Sequence, residues 1–263
     1  MTVLPWLLFF SLLGAILSVV AAASYLLLPE RRRQQLLPHM VSFAIGTLLG
    51  AAFLALIPHA LESPHVQDMH SITATILIGL LTFFVLEKLV LWRHCHAFEC
   101  EVHGADDHHH AAPETAPAGT LVLIGDAVHN FVDGVLIAAA FLTDFHLGVV
   151  TAIAVAAHEI PQEVGDFAIL LQSGFSRGKA FLYNILASLA TVIGALIAYF
   201  SLQTIEQYIP FVLAVAASSF IYVAVADLIP GLHKRTEAIE SVKQIALIAS
   251  GILVVYTAHL QLH

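Results

Sequence analysis

The chain has 263 residues and a formal charge of -9; it is 59% hydrophobic and 11% charged, with a mean hydropathy of +0.88. So little polar surface cannot cover a water-soluble domain of this size, which makes lipid the solvent. The negative charge lies in loops and inside apolar runs, where it is no guide to partners; nucleic acid is not expected among them.

In chain order, eight stretches approach the roughly 20 apolar residues that a helix needs to cross the hydrocarbon core. They cover about 4–28, 39–61, 71–92, 120–142, 146–173, 178–202, 209–230 and 242–262. The expected fold is an all-α integral membrane protein, with eight transmembrane helices in one bundle forming a single domain. The first stretch has no basic region ahead of it and runs directly into Arg31, Arg32 and Arg33, so it reads as a retained helix rather than a cleaved signal.

The basic residues fix an expected orientation. Arg31, Arg32 and Arg33 follow the first span, Lys88 and Arg93 end the third, Arg177 and Lys179 follow the fifth, and Lys234, Arg235 and Lys243 follow the seventh. These are all the Lys and Arg in the chain, and their alternation puts those four loops in the cytoplasm and both termini outside. A multi-pass protein results, in the plasma (inner) membrane if the source is bacterial.

The longest loop, about 93–118, carries His94, Cys95, His96, Cys100 and His103, then His108, His109 and His110 beside Asp106 and Asp107. Imidazole and thiolate are the usual zinc ligands, but the spacing matches no closed four-ligand finger, so a dynamic, low-affinity metal loop is expected. In a reducing cytoplasm Cys95 and Cys100 would be thiols.

Chemistry concentrates on the fourth and fifth spans. Asp126, His129, Asn130 and Asp133 follow i, i+3, i+4, i+7, which places them on one helical stripe. His158, Gln162 and Asp166 follow i, i+4, i+8 on the next span, with Glu159 and Glu163 forming an adjacent row. Left facing lipid, these carboxylates would cost on the order of 15 kcal/mol, and a cation is the direct compensation. His, Asn and carboxylate donors suit zinc, iron or manganese; calcium prefers oxygen alone, and copper(I) prefers sulfur. Pro161 is expected to disturb the helix and open backbone polarity beside His158.

At these residues the chain resembles the ZIP (Zrt- and Irt-like) family of metal transporters, through His129-Asn130-Phe131-Val132-Asp133-Gly134 and His158-Glu159-Ile160-Pro161-Gln162-Glu163-Val164-Gly165-Asp166. The second run is similar to the subfamily signature H-E-x-P-H-E-x-G-D, with Gln162 where the signature carries His. The resemblance implies a secondary transporter that moves zinc, or iron, manganese or cadmium, into the cytoplasm. It also implies a binuclear metal site, with His129, Asp133, His158 and residue 162 at one centre and Asn130, Glu159 and shared ligands at the other. Helices one, four, five and six would move against two, three, seven and eight. Metal would be cargo rather than a permanent cofactor, and the protein would not be an enzyme.

His59 and Glu62, in the run Ile57-Pro58-His59-Ala60-Leu61-Glu62, also look like the family and would lie near the outer mouth; Asp126, Glu163 and Asp166 are further pathway candidates. Asn184 and Asp227 carry weaker support as path residues, since a lone polar residue in a membrane helix is often a packing contact. The expected partners are divalent metal ions and the lipid bilayer, with a homodimer kept open. Two alternatives stand beside transport. His158-Glu159 could begin the H-E-x-x-H of an intramembrane zinc-dependent hydrolase, though Gln162 breaks that pattern. A metal sensor that binds without translocating would use the His-rich loop. The chain carries no G-x-x-x-x-G-K-[ST] phosphate loop, so an ATP-driven pump is set aside.

Overall fold

The computed structural model describes residues 2–97, 116–233 and 237–262, with side chains described for 2–89, 119–233 and 237–260. Among the described residues every regular element is helical. We number the long helices α1 (Leu4–Leu26), α2 (Glu30–Glu62), α3 (Met69–Ala97), α4 (Ala116–Thr143), α5 (Phe145–Gln172), α6 (Arg177–Leu202), α7 (Glu206–Leu232) and α8 (Ala238–Leu262). Seven are long and apolar enough to cross a membrane; α5, at 28 residues, is as long but carries Glu159, Glu163 and Asp166 in its second half. The chain is therefore a multi-pass membrane protein.

The expected spans and the helices agree within a few residues, with one clear exception. The second was expected from residue 39, but α2 begins at Glu30 and takes Arg31, Arg32 and Arg33 into its opening turns. Pro29 sets extended backbone just ahead of the helix, and Glu30 places a negative charge at its positive end, so the helix starts well before the apolar run does.

Irregular backbone falls elsewhere than expected. α5 passes through Pro161 without a break. Instead α2 widens into a π-helical turn over Ala51–Leu56, and α7 does the same over Val223–Leu228. Each widened turn ends at the same tripeptide, Leu56-Ile57-Pro58 and Leu228-Ile229-Pro230. Proline lacks the N–H that would close the preceding turn, and its ring crowds the carbonyl four residues back; a wider turn relieves both.

Small residues set the packing. A Cβ on Gly134 of α4 would fall on the Thr191 carbonyl of α6 and 2.8 Å from the Ala195 nitrogen, and Gly194 meets the Phe131 carbonyl in the same way. Gly46 and Gly251 bring α2 and α8 equally close. The helices thus fall into two groups, α1 with α4, α5 and α6, and α2 with α3, α7 and α8, which meet chiefly where α2 lies against α5. The main apolar core gathers Leu136, Ile137 and Phe141 of α4 with Leu7, Leu147, Val150, Leu213 and Phe220.

Candidate metal centre

α4 and α5 run antiparallel, joined at Asp144, whose carboxylate accepts from the backbone amides of His146 (2.8 Å) and Leu147 (3.1 Å) and so caps α5. That tight reversal puts the polar stripes of the two helices face to face.

Four side chains converge there: His129 and Asp133 of α4, His158 and Glu159 of α5, each offering one donor atom within 4.8 Å of the others. The His129 and His158 Nε2 atoms are 3.3 Å apart, His158 Nε2 is 3.2 Å from Asp133 Oδ2, and His129 Nε2 is 3.7 Å from both Asp133 Oδ2 and Glu159 Oε1. Two ligand atoms each about 2.0–2.1 Å from one tetrahedral zinc ion stand roughly 3.3 Å apart, so these four pairs, at 3.2–3.7 Å, lie near that spacing.

The protonation pattern fits the same use. His158 Nδ1 lies 3.1 Å from the Ala154 carbonyl, which can only accept; Nδ1 therefore carries the proton, and Nε2 turns its lone pair to the centre. Both Glu159 oxygens are buried and receive no hydrogen bond among the described residues. Phe220 of α7 lies against the His158 ring, with centroids 6.1 Å apart, and closes one wall. The side chains of Asp133, His158 and Glu159 are at most 4% exposed whereas His129 is 26% exposed, which makes His129 the most open of the four.

The remaining donors expected from the sequence are placed differently. Asn130 is buried in a lattice of its own: its Nδ2 donates to the Asp126 carboxylate (2.8 Å) and carbonyl (3.1 Å), and its Oδ1 accepts from Thr191 Oγ1 of α6 (2.9 Å). Gln162 is half-buried one turn beyond His158 on α5. Glu163 accepts from Ser188 of α6 at 2.5 Å, and Asp166 lies one turn further along α5. Asn184, one turn from Ser188, is fully buried, and neither amide atom has a hydrogen-bond partner among the described residues. Asp227 falls within the widened turn of α7, near the pair in which Tyr222 donates to Glu87 of α3.

His59 lines a cavity of about 240 Å³ with Ser63, His65, Thr143, Gln203 and Glu206, where the ends of α2, α4, α6 and α7 meet; Glu62 is exposed, next to Ser63 in the chain. From His129 to Thr143 is 14 residues, roughly 20 Å of helix at 1.5 Å each. The apolar side chains of Leu136, Ile137 and Phe141 fill that interval, so the cavity and the centre are separate here. His94, Cys95 and His96 fall on the last turns of α3, where side chains are not described, and Cys100, His103, His108, His109 and His110 lie outside the described residues.

Sequence reasoning passed over Ser188 and Thr191, the α6 hydroxyls that meet Glu163 and Asn130. Their signal was two polar residues three apart in an apolar run.

Comparison with known proteins gives the family. The family model described as ZIP Zinc transporter matches residues 3–258. The chain belongs to the ZIP zinc transporter family. Among curated relatives of this ZIP-family chain, the zinc transporter ZIP13 of Pongo abelii is 32% identical over 230 residues, covering 83% of this chain and 65% of that one. The zinc transporter zipt-7.2 of Caenorhabditis elegans is 32% identical, covering 84% and 58%, and the zinc transporter ZIP13 homolog of Drosophila melanogaster is 29% identical, covering 94% and 87%. The chain thus spans about two thirds of the length of the first of these relatives. The family is one of transporters rather than enzymes, which sets the hydrolase reading aside.

Proposed function

We propose that this protein is a secondary transporter that carries zinc, and related divalent transition metals, across the membrane into the cytoplasm. The observation that carries the reading is the quartet of His129, Asp133, His158 and Glu159, three of them buried, whose donor atoms gather within 4.8 Å between two helices that would otherwise hold uncompensated charge in lipid. The names of its ZIP13 relatives, all zinc transporters, support zinc as cargo.

The alternation of Lys and Arg supports both termini outside. On that orientation the cavity at His59 and Glu206 opens outward and is shut off from the centre by the apolar interval on α4. Asp126, Glu163 and Asp166 then lie on the cytoplasmic side of the quartet, where oxygen donors would receive the ion as it leaves. Rocking of the α1, α4, α5, α6 group against the α2, α3, α7, α8 group would expose the centre to either side, and the close packing within each group supports rigid-body motion.

The test is uptake of radioactive zinc, iron, manganese and cadmium into proteoliposomes, with His129→Ala and His158→Ala in parallel. Saturable uptake of zinc lost in both variants is expected. Tight zinc binding with no flux under any gradient would overturn transport in favour of a sensor.

A further inference from the structure

Asn130, which a second metal ion would need, is already committed to Asp126 and Thr191, and next to it is a cavity of a different kind. Ser11 and Gly14 of α1, Asn130 of α4, Val155 and Glu159 of α5 and Thr191 of α6 are among the residues that enclose a space of about 10 Å³ on the α1 side of Glu159. That is the room of a single water, on the order of 10–15 Å³. Ser11 Oγ is 1% exposed and has no hydrogen-bond partner among the described residues, as is true of both Glu159 oxygens.

A divalent ion in this space would find one charged donor, Glu159. Asn130 Oδ1 is taken by Thr191, and the Asn130 amide hydrogens are taken by Asp126. Zinc takes about four donors and harder cations take more, whereas a water is satisfied by two to four polar neighbours of either kind. Ser11, Glu159 and Thr191 supply that number for a water and fall short for a metal.

We infer that the centre of this protein takes one ion, and that the neighbouring position holds a structural water, fixed by Ser11, Glu159 and the Asp126–Asn130–Thr191 lattice, that orients the Glu159 carboxylate toward the ion. Ser11, Asn130 and Thr191 are then positioning residues. They also tie α1, α4, α5 and α6 together at the level of the ion, so loading the centre and stiffening this group are one event. The inference rests on the quartet being the metal site.

The experiment is the number of zinc ions per chain in the purified full-length protein, measured by elemental mass spectrometry, in wild type and in His129→Ala/His158→Ala. Subtracting the two removes the contribution of the His-rich loop. A difference of one is expected. A difference of two overturns the inference while leaving transport standing, and no difference overturns both. Because the double variant can fail to fold, zinc affinity is also measured in Asn130→Asp and Ser11→Ala. An Asn130 that ligates metal would be replaced by a stronger ligand, and affinity would hold or rise. In the lattice, the new carboxylate faces Asp126, and affinity is expected to fall at least about tenfold, the equivalent of 1.4 kcal/mol. Ser11→Ala is expected to weaken zinc several-fold with the count unchanged; unchanged affinity would remove Ser11 and the water from the site.

Discussion

Substituting Gly134 by alanine adds one methyl group on the flank of α4 that faces α6, just over a quarter turn from Asp133, and the structure says how far its effect should travel. That methyl would lie inside the van der Waals envelope of the Thr191 carbonyl and 2.8 Å from the Ala195 nitrogen, both backbone atoms with no rotamer to escape into. Non-bonded contact needs roughly 3.5 Å, so α4 and α6 must part by about 1.5 Å at the Thr191 carbonyl. The Thr191–Asn130 hydrogen bond, 2.9 Å now, would open to a distance at which it no longer holds. Overpacking costs about 1–3 kcal/mol and a buried amide oxygen left without its donor about 1–3 more. The helix preference for alanine over glycine returns up to about 1 kcal/mol, leaving a net loss of roughly 1–5 kcal/mol. Melting in detergent should fall by several degrees, and zinc uptake should drop with it because His129 and Asp133 ride on the displaced helix. Gly125→Ala and Gly165→Ala are the controls: a Cβ at either meets nothing within 4 Å, so both should melt at or above wild type. If Gly134→Ala melts and transports like those controls, the close approach of α4 and α6 does not hold the site.

Three further outcomes are expected. Removing the α5 cap with Asp144→Ala should cost about 1 kcal/mol, read as melting temperature. Partial burial pushes the Asp144 carboxyl up, but the amides of Leu147 and His146, with the His146 and His59 imidazoles, outweigh it and hold the group below the ordinary aspartate value. The stability from this cap is therefore full above the unfolded value of about 3.9 and is lost as pH falls through the lower folded value, so wild type and Asp144→Ala should converge only in strong acid. Ser188→Ala leaves Glu163 without its donor and should destabilise by about 1–3 kcal/mol without changing which metals compete for uptake; an unchanged melting temperature would refute the contact. Zinc at a hundredfold excess over its dissociation constant should stabilise the folded protein by about 2.7 kcal/mol, and a chelator should reverse it. The portion of that shift due to the quartet should vanish in His158→Ala, and a full shift in that variant would place the stabilising zinc elsewhere.

What the sequence revealed and what it hid follow from the cost of each group in lipid. His129, Asp133, His158 and Glu159 stood out because an ionisable side chain inside an apolar run needs a reason to be there, and helical spacing alone put them on facing stripes. The eight helices were legible for the same reason, apart from the start of α2, where Pro29 and Glu30 rather than hydropathy decide. Pro161 misled as a break, while Pro58 and Pro230, unremarked as breaks, are where the helices widen. A proline states only that one donor is missing; whether the turn opens depends on neighbours that no single helix contains.

The lattice around Asn130 was hidden for a deeper reason. Serine and threonine can satisfy their hydroxyls within their own helix, as Thr151 does on the Leu147 carbonyl at 2.8 Å, so in a membrane span they carry little penalty and leave little trace in hydropathy. Thr191 has instead turned to another helix, and it can reach only because Gly134 and Gly194 bring α4 and α6 into backbone contact. Glycine and threonine, each unremarkable when read alone, together decide whether Asn130 faces a metal ion or a neighbouring helix. The donors of the centre are written in residue type, but the number of ions it accepts is set by helix spacing, which is where sequence pattern is weakest and where the two glycines act.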